Sequence, residues 1–295
     1  MTDNAVYLHR LSADGFLNMA VDEYLLELCR AGGARAALRF YEWEPPAVSL
    51  GHSQSFDLLD LAECREQGID VVRRITGGGA ILHWQELTYC FALRRDVSAL
   101  AAWPRQTANA VSMSLVLGLA RLGVRASART RMRRVANGSG PVAAGRPAAP
   151  SDRRLTDLCF MSGVENEIEA CGRKLAGCAH KFTREAFFSH GSIMTGPSHV
   201  HVARLVRPDA RASQDALAQT IAEKSVALSQ LLPGPPAAGQ MEAAFKSAFE
   251  EVFELCLAPE SLSQSGTRLV EEHAAEKRSV LAAAFRAAKS TGGAR

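Results

Sequence analysis

Residues 71–93 constrain the fold of this chain more than any other stretch, because three consecutive glycines separate two β-rich runs. The stretch reads VVRRITGGGAILHWQELTYCFAL. Glycine has no Cβ atom, so Gly77, Gly78 and Gly79 permit positive φ angles and let a ligand approach the main chain closely. The pattern predicts a strand, a loop of bare backbone and a second strand, and we call the segment between the two strands the glycine loop.

Two arginines, Arg73 and Arg74, end the first of these β-rich runs. We expect them at the lip of the glycine loop, where main-chain N–H groups can point at an anion or a carbonyl oxygen. A glycine-rich hairpin with solvated arginines accounts for the same residues, and short motifs of this kind also match by accident. The stretch alone leaves both interpretations open.

Composition indicates a globular chain that is long enough to bury a core. It has 295 residues, of which 47% are hydrophobic. The first residues lack the pattern of a signal peptide, and no apolar run reaches the length of a membrane span, so we expect a cytoplasmic protein with no membrane partner. A formal net charge of +3 is too small to indicate nucleic-acid binding.

The seven cysteines are scattered and contain no C-x-x-C pair. Neither a disulfide framework nor a zinc site is therefore predicted, and we expect no metal site. Most of these cysteines should be reduced, buried thiols, while a single one could act as a nucleophile.

Apolar periodicity predicts a β-rich body followed by a helical end. Helical spacing covers residues 16–29, 100–122, 213–231, 241–255 and 267–289. We predict one catalytic domain over residues 1–212 and a helical C-terminal extension over residues 213–295.

An arginine-rich segment, residues 129–154, interrupts the predicted body. It holds seven arginines and almost no large apolar residues, so it is predicted to be a mobile loop. A solvated insertion without a role and a basic site for an acidic partner are both compatible with this composition.

Small residues characterise a second β-rich block that starts near residue 158 and ends with His190-Gly191-Ser192-Ile193-Met194. Gly177 and Ala179 leave room above their strand, so we interpret them as the floor of a slot for a thin apolar substrate or a backbone. Tight packing between sheet layers explains the same residues equally well.

Several motifs that follow one another in register resemble the lipoate–protein ligase and octanoyltransferase family, the cofactor transferases related to biotin ligase. The three signatures are Arg73-Arg74-Ile75-Thr76-Gly77-Gly78-Gly79-Ala80 with His83, Gly172-Arg173-Lys174-Leu175-Ala176-Gly177-x-Ala179, and His190-Gly191-Ser192. The N-terminal pattern of the family is matched by Asn18-Met19-Ala20-x-Asp22 and by Arg39-Phe40-Tyr41-x-Trp43 with Ser49-Leu50-Gly51. The likeness runs from about residue 5 to residue 205, with a weaker helical match beyond.

The resemblance implies an α/β (α+β) fold, built on a mainly antiparallel sheet with flanking helices, that holds an acyl chain between the glycine loop and the strand of Lys174. It makes Lys174 catalytic and places His83, His190 and Gly191 in the substrate site. Transferases of the family take octanoate from acyl carrier protein through a cysteine thioester, without a cofactor. Ligases activate free lipoate with ATP and magnesium. The acceptors are lipoyl carrier domains, such as a glycine cleavage H-like protein and E2 subunits of 2-oxoacid dehydrogenases.

Details of the sequence favour the transferase branch. Cys159 stands fifteen residues before Lys174, where one transferase branch carries its nucleophile. Trp84 follows His83, where ligases more often have an aspartate, and the C-terminal end resembles that of the transferases. Cys178 replaces the usual serine of the family and His180 the frequent glutamine, which leaves the acyl donor and acceptor open.

We therefore predict an octanoyltransferase in which the ammonium of Lys174 favours the thiolate of Cys159. Two alternatives stay open. In an ATP-dependent lipoate ligase, Lys174 and Arg73 would hold the carboxylate and the phosphates, and Cys159 would be incidental. A non-catalytic relative that binds lipoylated domains would not need both Lys174 and an intact glycine loop.

Overall fold

Two β-sheets with flanking helices make up this computed structural model, which describes residues 4–97, 99–129, 158, 167–207, 211–234 and 236–292. The strands are β1 (Ala5–Ala13), β2 (Ala36–Trp43), β3 (Ala47–Leu50), β4 (Asp70–Arg73), β5 (Ile81–His83), β6 (Glu86–Arg94), β7 (Ser127–Ala128), β8 (Ile168–Ala170), β9 (Arg173–Phe182), β10 (Ala186–Met194) and β11 (Leu257–Glu260). The helices are α1 (Gly15–Arg30), α2 (Leu61–Glu66), α3 (Ala99–Ala102), α4 (Pro104–Arg121), α5 (Val202–Leu205), α6 (Arg211–Lys224), α7 (Ala238–Phe253) and α8 (Gln264–Gly292).

The larger sheet has eight strands in the order β11-β1-β2-β6-β10-β9-β8-β7. β1 runs parallel to both β2 and β11, and all the other neighbours are antiparallel. The smaller sheet has the order β4-β3-β5, in which β4 is parallel and β5 antiparallel to β3. The predicted fold class, a mainly antiparallel sheet with flanking helices, is confirmed.

The central strand β6 shows that both faces of the large sheet are covered. Its residues are buried from Glu86 to Leu93, as expected of a strand between two helical layers. On one face, Phe91 packs with Leu115 of α4 and Phe249 of α7 in one apolar cluster. On the other face, Cys90 packs with Leu25 of α1.

Helix α1 confirms the helix predicted over residues 16–29. Asp14 caps its start, because the Asp14 side chain accepts a hydrogen bond from the backbone N–H of Leu17 at 2.8 Å. Ion pairs from Lys277 to Glu23 and from Arg278 to Asp14 connect it to α8. The first helix is thus packed between the large sheet and the last helix.

The segment over residues 213–295 contains the predicted helices and also a strand that the sequence did not predict. β11 pairs with β1 at the edge of the large sheet. Only Leu257 of its four residues is buried, and Pro259 cannot donate to a ladder, so no alternation marks it in the sequence.

The boundary at residue 212 between a catalytic domain and an extension stays a prediction. The arginine-rich segment lies outside the described residues except for Arg129.

Candidate active site

A cavity of about 380 Å³ is lined by residues of both sheets. The smaller sheet contributes Ser49, Ile81 and His83 together with the glycine loop, which connects β4 to β5. The larger sheet contributes residues of β2, β6, β9 and β10. A cavity of this size, with a few polar groups on its walls, is typical of a site for a small organic ligand.

Most of the residues that the sequence predicts for the site line this cavity. They are Arg74, Gly77, Gly78, Gly79, His83, Lys174, Gly177, Ala179, His190 and Gly191. Three segments that are far apart in the sequence therefore share one space. Arg73 is described but lies outside the lining, and Cys159 falls outside the described residues.

The Arg74 side chain is surrounded by the glycine loop. Its guanidinium donates to the carbonyl oxygens of Gly77 and Gly79, both at 2.8 Å, and to the carbonyl of Ser49 at 2.9 Å. Gly78 has a φ of +96°, and a Cβ atom there would lie 2.9 Å from Arg74 Nη2. The loop is thus shaped around a buried cation, and Gly78 is required by its backbone conformation as well as by space.

Arg73 supports a different loop. Its Nη1 donates to the carbonyl of His52 at 3.0 Å and also to the carbonyl of Gln54, and its guanidinium lies over the ring of Phe56. These contacts tie the loop after β3 to the end of β4. A contact between Arg73 and a substrate remains a prediction without support from its placement.

The small residues of β9 and β10 meet at the cavity wall. In the pairing of these strands, Gly177 lies opposite Ser192 and Ala179 opposite His190. A Cβ atom at Gly191 would lie 2.2 Å from the carbonyl oxygen of Gly177, so close approach of the two strands requires a glycine at position 191. Gly177 and Ala179 line the cavity, and the strand that carries Gly177 is approached closely by β10 at Gly191. That an acyl chain lies on Gly177 and Ala179 stays a prediction.

His190 joins the glycine loop to α1 through its two ring nitrogens. Nε2 lies 2.7 Å from the hydroxyl of Thr76, and Nδ1 lies 3.0 Å from Oδ2 of Asp22. Asp22 also pairs with Arg39 at 2.9 Å and accepts a hydrogen bond from the Tyr41 hydroxyl at 2.9 Å. All five side chains are buried.

The electrostatics of this network assign the proton on His190. Burial by itself raises the pKa of Asp22, but Arg39, His190 and Tyr41 outweigh it and hold that pKa below its ordinary value. For His190, burial is the largest effect and lowers the pKa. The imidazole is therefore neutral, with Nδ1–H donating to the Asp22 carboxylate and Nε2 accepting from the Thr76 hydroxyl.

His83 lines the cavity and belongs to a second buried network. Its ring stacks on the indole of Trp43, with centroids 4.0 Å apart. Nδ1 lies 2.7 Å from Glu86 Oε1 and Nε2 lies 2.7 Å from Ser49 Oγ. Ser192 also donates to Glu86, at 2.8 Å. Stacking and hydrogen bonds together fix the orientation of the His83 ring.

Lys174 is buried at the start of β9 and forms an ion pair with a carboxylate that is buried too. Its Nζ lies 2.7 Å from Oε1 of Glu167. The other Glu167 oxygen lies 3.7 Å from the guanidinium of Arg129, which is 3.4 Å from Glu169. The backbone N–H of Val226 donates to the carbonyl of Lys174 at 2.8 Å and holds this end of the strand.

Leu158 brings the chain that precedes Cys159 to the glycine loop. It is completely buried and forms a parallel backbone bridge with Ala80, the residue after Gly79. Gly79 lines the cavity. Leu158 therefore lies beside the end of the glycine loop.

Several polar residues of the site had no role predicted from the sequence. Asp22 and Ser49 lie in segments that resemble the family, and that resemblance is the signal that could have found them. Thr76 is part of the first signature, where the glycines next to it dominate the pattern. Glu167 stands in an alternating run of glutamates and carries no signal of its own.

The described residues contain no group of three or more His, Cys, Asp and Glu side chains arranged to hold a metal ion. Among the described helices, none combines the length and the apolar composition needed to cross a bilayer.

The sequence matches a known family over residues 14–250, described as the lipoyl protein ligase A/B catalytic domain. Octanoyltransferase LipM of Symbiobacterium thermophilum is 32% identical over 248 residues, which cover 84% of this chain and 85% of that protein. Octanoyltransferase LipM of Moorella thermoacetica is 28% identical over 253 residues, which cover 85% of this chain and 87% of that protein.

Solved structures of lipoate ligases share the fold. A structure of a bipartite lipoate protein ligase and its E2 lipoyl domain from Thermoplasma acidophilum superposes with a TM-score of 0.72 at 18% identity, over 94% of each chain. A lipoate-protein ligase A bound with ATP gives a TM-score of 0.66 at 18% identity, over 95% of this chain and 96% of that one. The matched region of the sequence spans most of the chain and contains the cavity, and the chain belongs to the family of lipoyl protein ligase A/B catalytic domains.

Proposed function

We propose that this chain is an octanoyltransferase of protein lipoylation. It would move an octanoyl group from acyl carrier protein, through a thioester on Cys159, to a lysine of a lipoyl carrier domain. The observation that carries the proposal is the bridge between Leu158 and Ala80. Leu158 directly precedes Cys159 in the sequence, and Leu158 itself pairs with the residue that follows Gly79 of the glycine loop, which supports a role for this segment at the cavity.

The relatives favour a transferase over a ligase. The LipM octanoyltransferases resemble this chain over most of its length and of theirs. The placement of Arg73 points the same way, because its guanidinium is engaged with loop carbonyls instead of the cavity where a ligase would hold phosphates. The likeness to an ATP-bound ligase concerns the fold.

In the first step, the thiolate of Cys159 attacks the thioester carbonyl of the acyl donor. A new S–C bond forms, the old one breaks, and the carrier leaves as a thiol after taking up the proton that Cys159 has lost. The ammonium of Lys174 stabilises the thiolate electrostatically. Backbone N–H groups of the glycine loop are suited to stabilise the developing oxyanion, an effect worth about 3–4 kcal/mol per donor in well-studied enzymes.

In the second step, the amine of the acceptor lysine attacks the acyl-enzyme. The amine must be neutral: its nitrogen forms the new C–N bond, the C–S bond to Cys159 breaks, and the departing sulfur takes up the proton that the nitrogen loses. The walls hold the acyl chain meanwhile: Met19, Trp43 and Ile81 supply apolar surface, and Gly177 and Ala179 leave room for the chain.

The partners and the cofactor requirement follow from this chemistry. The donor is acyl carrier protein and the acceptor is a lipoyl carrier domain, the kind of domain paired with the ligase of Thermoplasma acidophilum. The thioester supplies the energy of acyl transfer, so neither ATP nor magnesium is required. The arginine-rich segment over residues 129–154 would attract such acidic carriers by long-range electrostatics, which stays a prediction because it lies outside the described residues except for Arg129.

Intact mass spectrometry after incubation with octanoyl-acyl carrier protein, without ATP, tests the proposal. The parent protein should gain one octanoyl group that hydroxylamine removes, and Cys159→Ser should gain none while it folds normally. Cys178→Ala is the matched control, because Cys178 also lines the cavity. It should be acylated like the parent.

Two results would contradict the proposal. Acylation that persists in Cys159→Ser and disappears in Cys178→Ala would move the nucleophile to the other thiol. Activity on free octanoate that strictly requires ATP, with none from the carrier thioester, would identify a ligase.

A further inference from the structure

A buried carboxylate at the cavity, that of Glu167, has no part in the two steps above. It lines the cavity and is 5% exposed, and Lys174, its partner, is 6% exposed. A charge that is removed from water is costly unless an opposite charge and hydrogen bonds compensate it. The 2.7 Å contact between Lys174 Nζ and Glu167 Oε1 supplies that compensation for both.

The second oxygen of Glu167 faces the guanidinium of Arg129, which lies half-exposed at the end of β7. The carboxylate thus stands between the buried ammonium of Lys174 and a guanidinium that is half-exposed to solvent. Glu169, two residues along, provides a matched control: its carboxylate lies near that of Glu167 and also pairs with Arg129, at 3.4 Å, but its side chain is partly exposed.

We propose that Glu167 is a positioning residue, which keeps Lys174 in the ammonium form and aims it into the cavity while the thioester on Cys159 forms. The inference rests on the proposed function for the identity of the reaction. Its structural basis, a buried ion pair on the cavity wall, is independent of the acyl group that is transferred.

The proton balance of the first step is compatible with this role. Cys159 loses its proton and the leaving carrier thiolate gains one, so the net proton count on the protein pair is unchanged. Lys174 begins and ends the step as an ammonium ion, and Glu167 begins and ends it as a carboxylate. Without Glu167, a buried amine would give up its proton more readily and the thiolate would lose its counter-charge.

Other charged or titratable groups lie near the pair, and Glu86 also acts electrostatically on His199. Arg129 follows β7, Glu169 lies on β8 opposite Lys174, and His199 lies in the turn Pro197–His201. His199 interacts electrostatically with Lys174 and is held by the Ser225 hydroxyl. The carboxylate that contacts the Lys174 ammonium at 2.7 Å is that of Glu167.

Single-turnover acylation of Glu167→Gln, followed as a function of pH, tests the role. Loss of a charge-assisted contact of this kind corresponds to about a 10- to 100-fold slower thioester formation. The KM for octanoyl-acyl carrier protein should stay near that of the parent. The basic limb of the pH–rate profile should move to lower pH, because Lys174 would lose its proton more readily without the carboxylate 2.7 Å away.

Two variants separate this role from a purely structural one. Glu169→Gln removes a neighbouring charge and should leave both the rate and the basic limb within about twofold of the parent. Glu167→Asp keeps the charge and withdraws it by one methylene, so it should slow acylation while the basic limb stays in place. It also provides the test if Glu167→Gln does not fold.

Parental rates in both Glu167 variants would overturn the inference. So would a slower Glu167→Gln with an unmoved basic limb and a lower melting temperature, since that pattern belongs to a structural residue. A parent protein that forms no thioester would instead refute the proposed function.

Discussion

Lowering the pH from 7 to 5 should destabilise the protein through His199, an imidazole buried in its neutral form. His199 is 2% exposed, and its Nε2 lies 2.6 Å from the Ser225 hydroxyl. Burial lowers the pKa of His199 from 6.5 to about 4. The unfolded chain titrates near the ordinary value, so at pH 5 it binds more protons than the folded protein, and stability falls as the pH falls.

The linkage relation gives the size of the effect. A difference of one bound proton changes the free energy of unfolding by about 1.36 kcal/mol per pH unit. Between pH 6.5 and pH 5 the unfolded imidazole is protonated and the folded one is mostly neutral, so His199 costs about 2 kcal/mol at pH 5. Its contribution is intact above pH 6.5 and is lost as the pH falls toward 4. His180, whose pKa burial also lowers to about 4, adds a loss of the same sign.

Urea unfolding at pH 7 and pH 5 measures the effect in the parent, in His199→Gln and in His52→Gln. The His199 variant should lose about 2 kcal/mol less than the parent on acidification, because glutamine does not titrate. His52 is exposed, so its variant should follow the parent. If His199→Gln loses as much stability as the parent between the two pH values, the assignment of a buried neutral His199 is wrong.

Three further substitutions test the site and its support. Gly77→Ala adds a Cβ atom with no described atom within 4 Å, so the free energy of unfolding should stay within about 0.5 kcal/mol of the parent. Acyl transfer should fall, because the added methyl group would occupy space beside the substrate. Unchanged kinetics would show that the backbone at Gly77 makes no substrate contact. Gly78→Ala, at a φ of +96°, should cost about 1–3 kcal/mol in urea unfolding, and a cost below that range would contradict the strain argument. Asp22→Asn leaves Arg39 buried without its carboxylate and should cost about 3–5 kcal/mol, part of which a second change, Arg39→Met, should restore in a double-mutant cycle.

The elements that the sequence predicts well are those whose signals are local. The apolar spacing over residues 16–29 matches α1, and the β-rich run before the glycines matches β4. The run after the glycines forms two strands, β5 and β6, where the sequence predicts one. Glycines, a lysine and a histidine in three separate motifs predict a shared site only through their resemblance to a family. The spacing between those motifs carries no geometric information by itself, because the pairing of β9 with β10 and of β10 with β6 is a long-range property.

Other features depend on partners that a linear pattern does not reveal. The charge of Arg74 suggests an anion, whereas the structure gives it the carbonyl oxygens of its own loop. Glu167 looks like one of several solvated glutamates until the fold buries it beside Lys174. Strand β11 is identified only by its pairing with β1 at the edge of the large sheet, because its own sequence carries no strand pattern.

The bonds from Arg74 to Gly77 and Gly79 also bear on the thermodynamics of ligand binding. Fixing the backbone of a flexible residue costs about 1–2 kcal/mol, so ordering a free loop of three glycines on binding would consume several kcal/mol of affinity. In this protein that conformational entropy is lost when the chain folds, because the Arg74 guanidinium already fixes the conformation of the loop. Loss of Arg74 should therefore weaken acyl binding mainly through an unfavourable entropy, which calorimetry can separate from a lost contact.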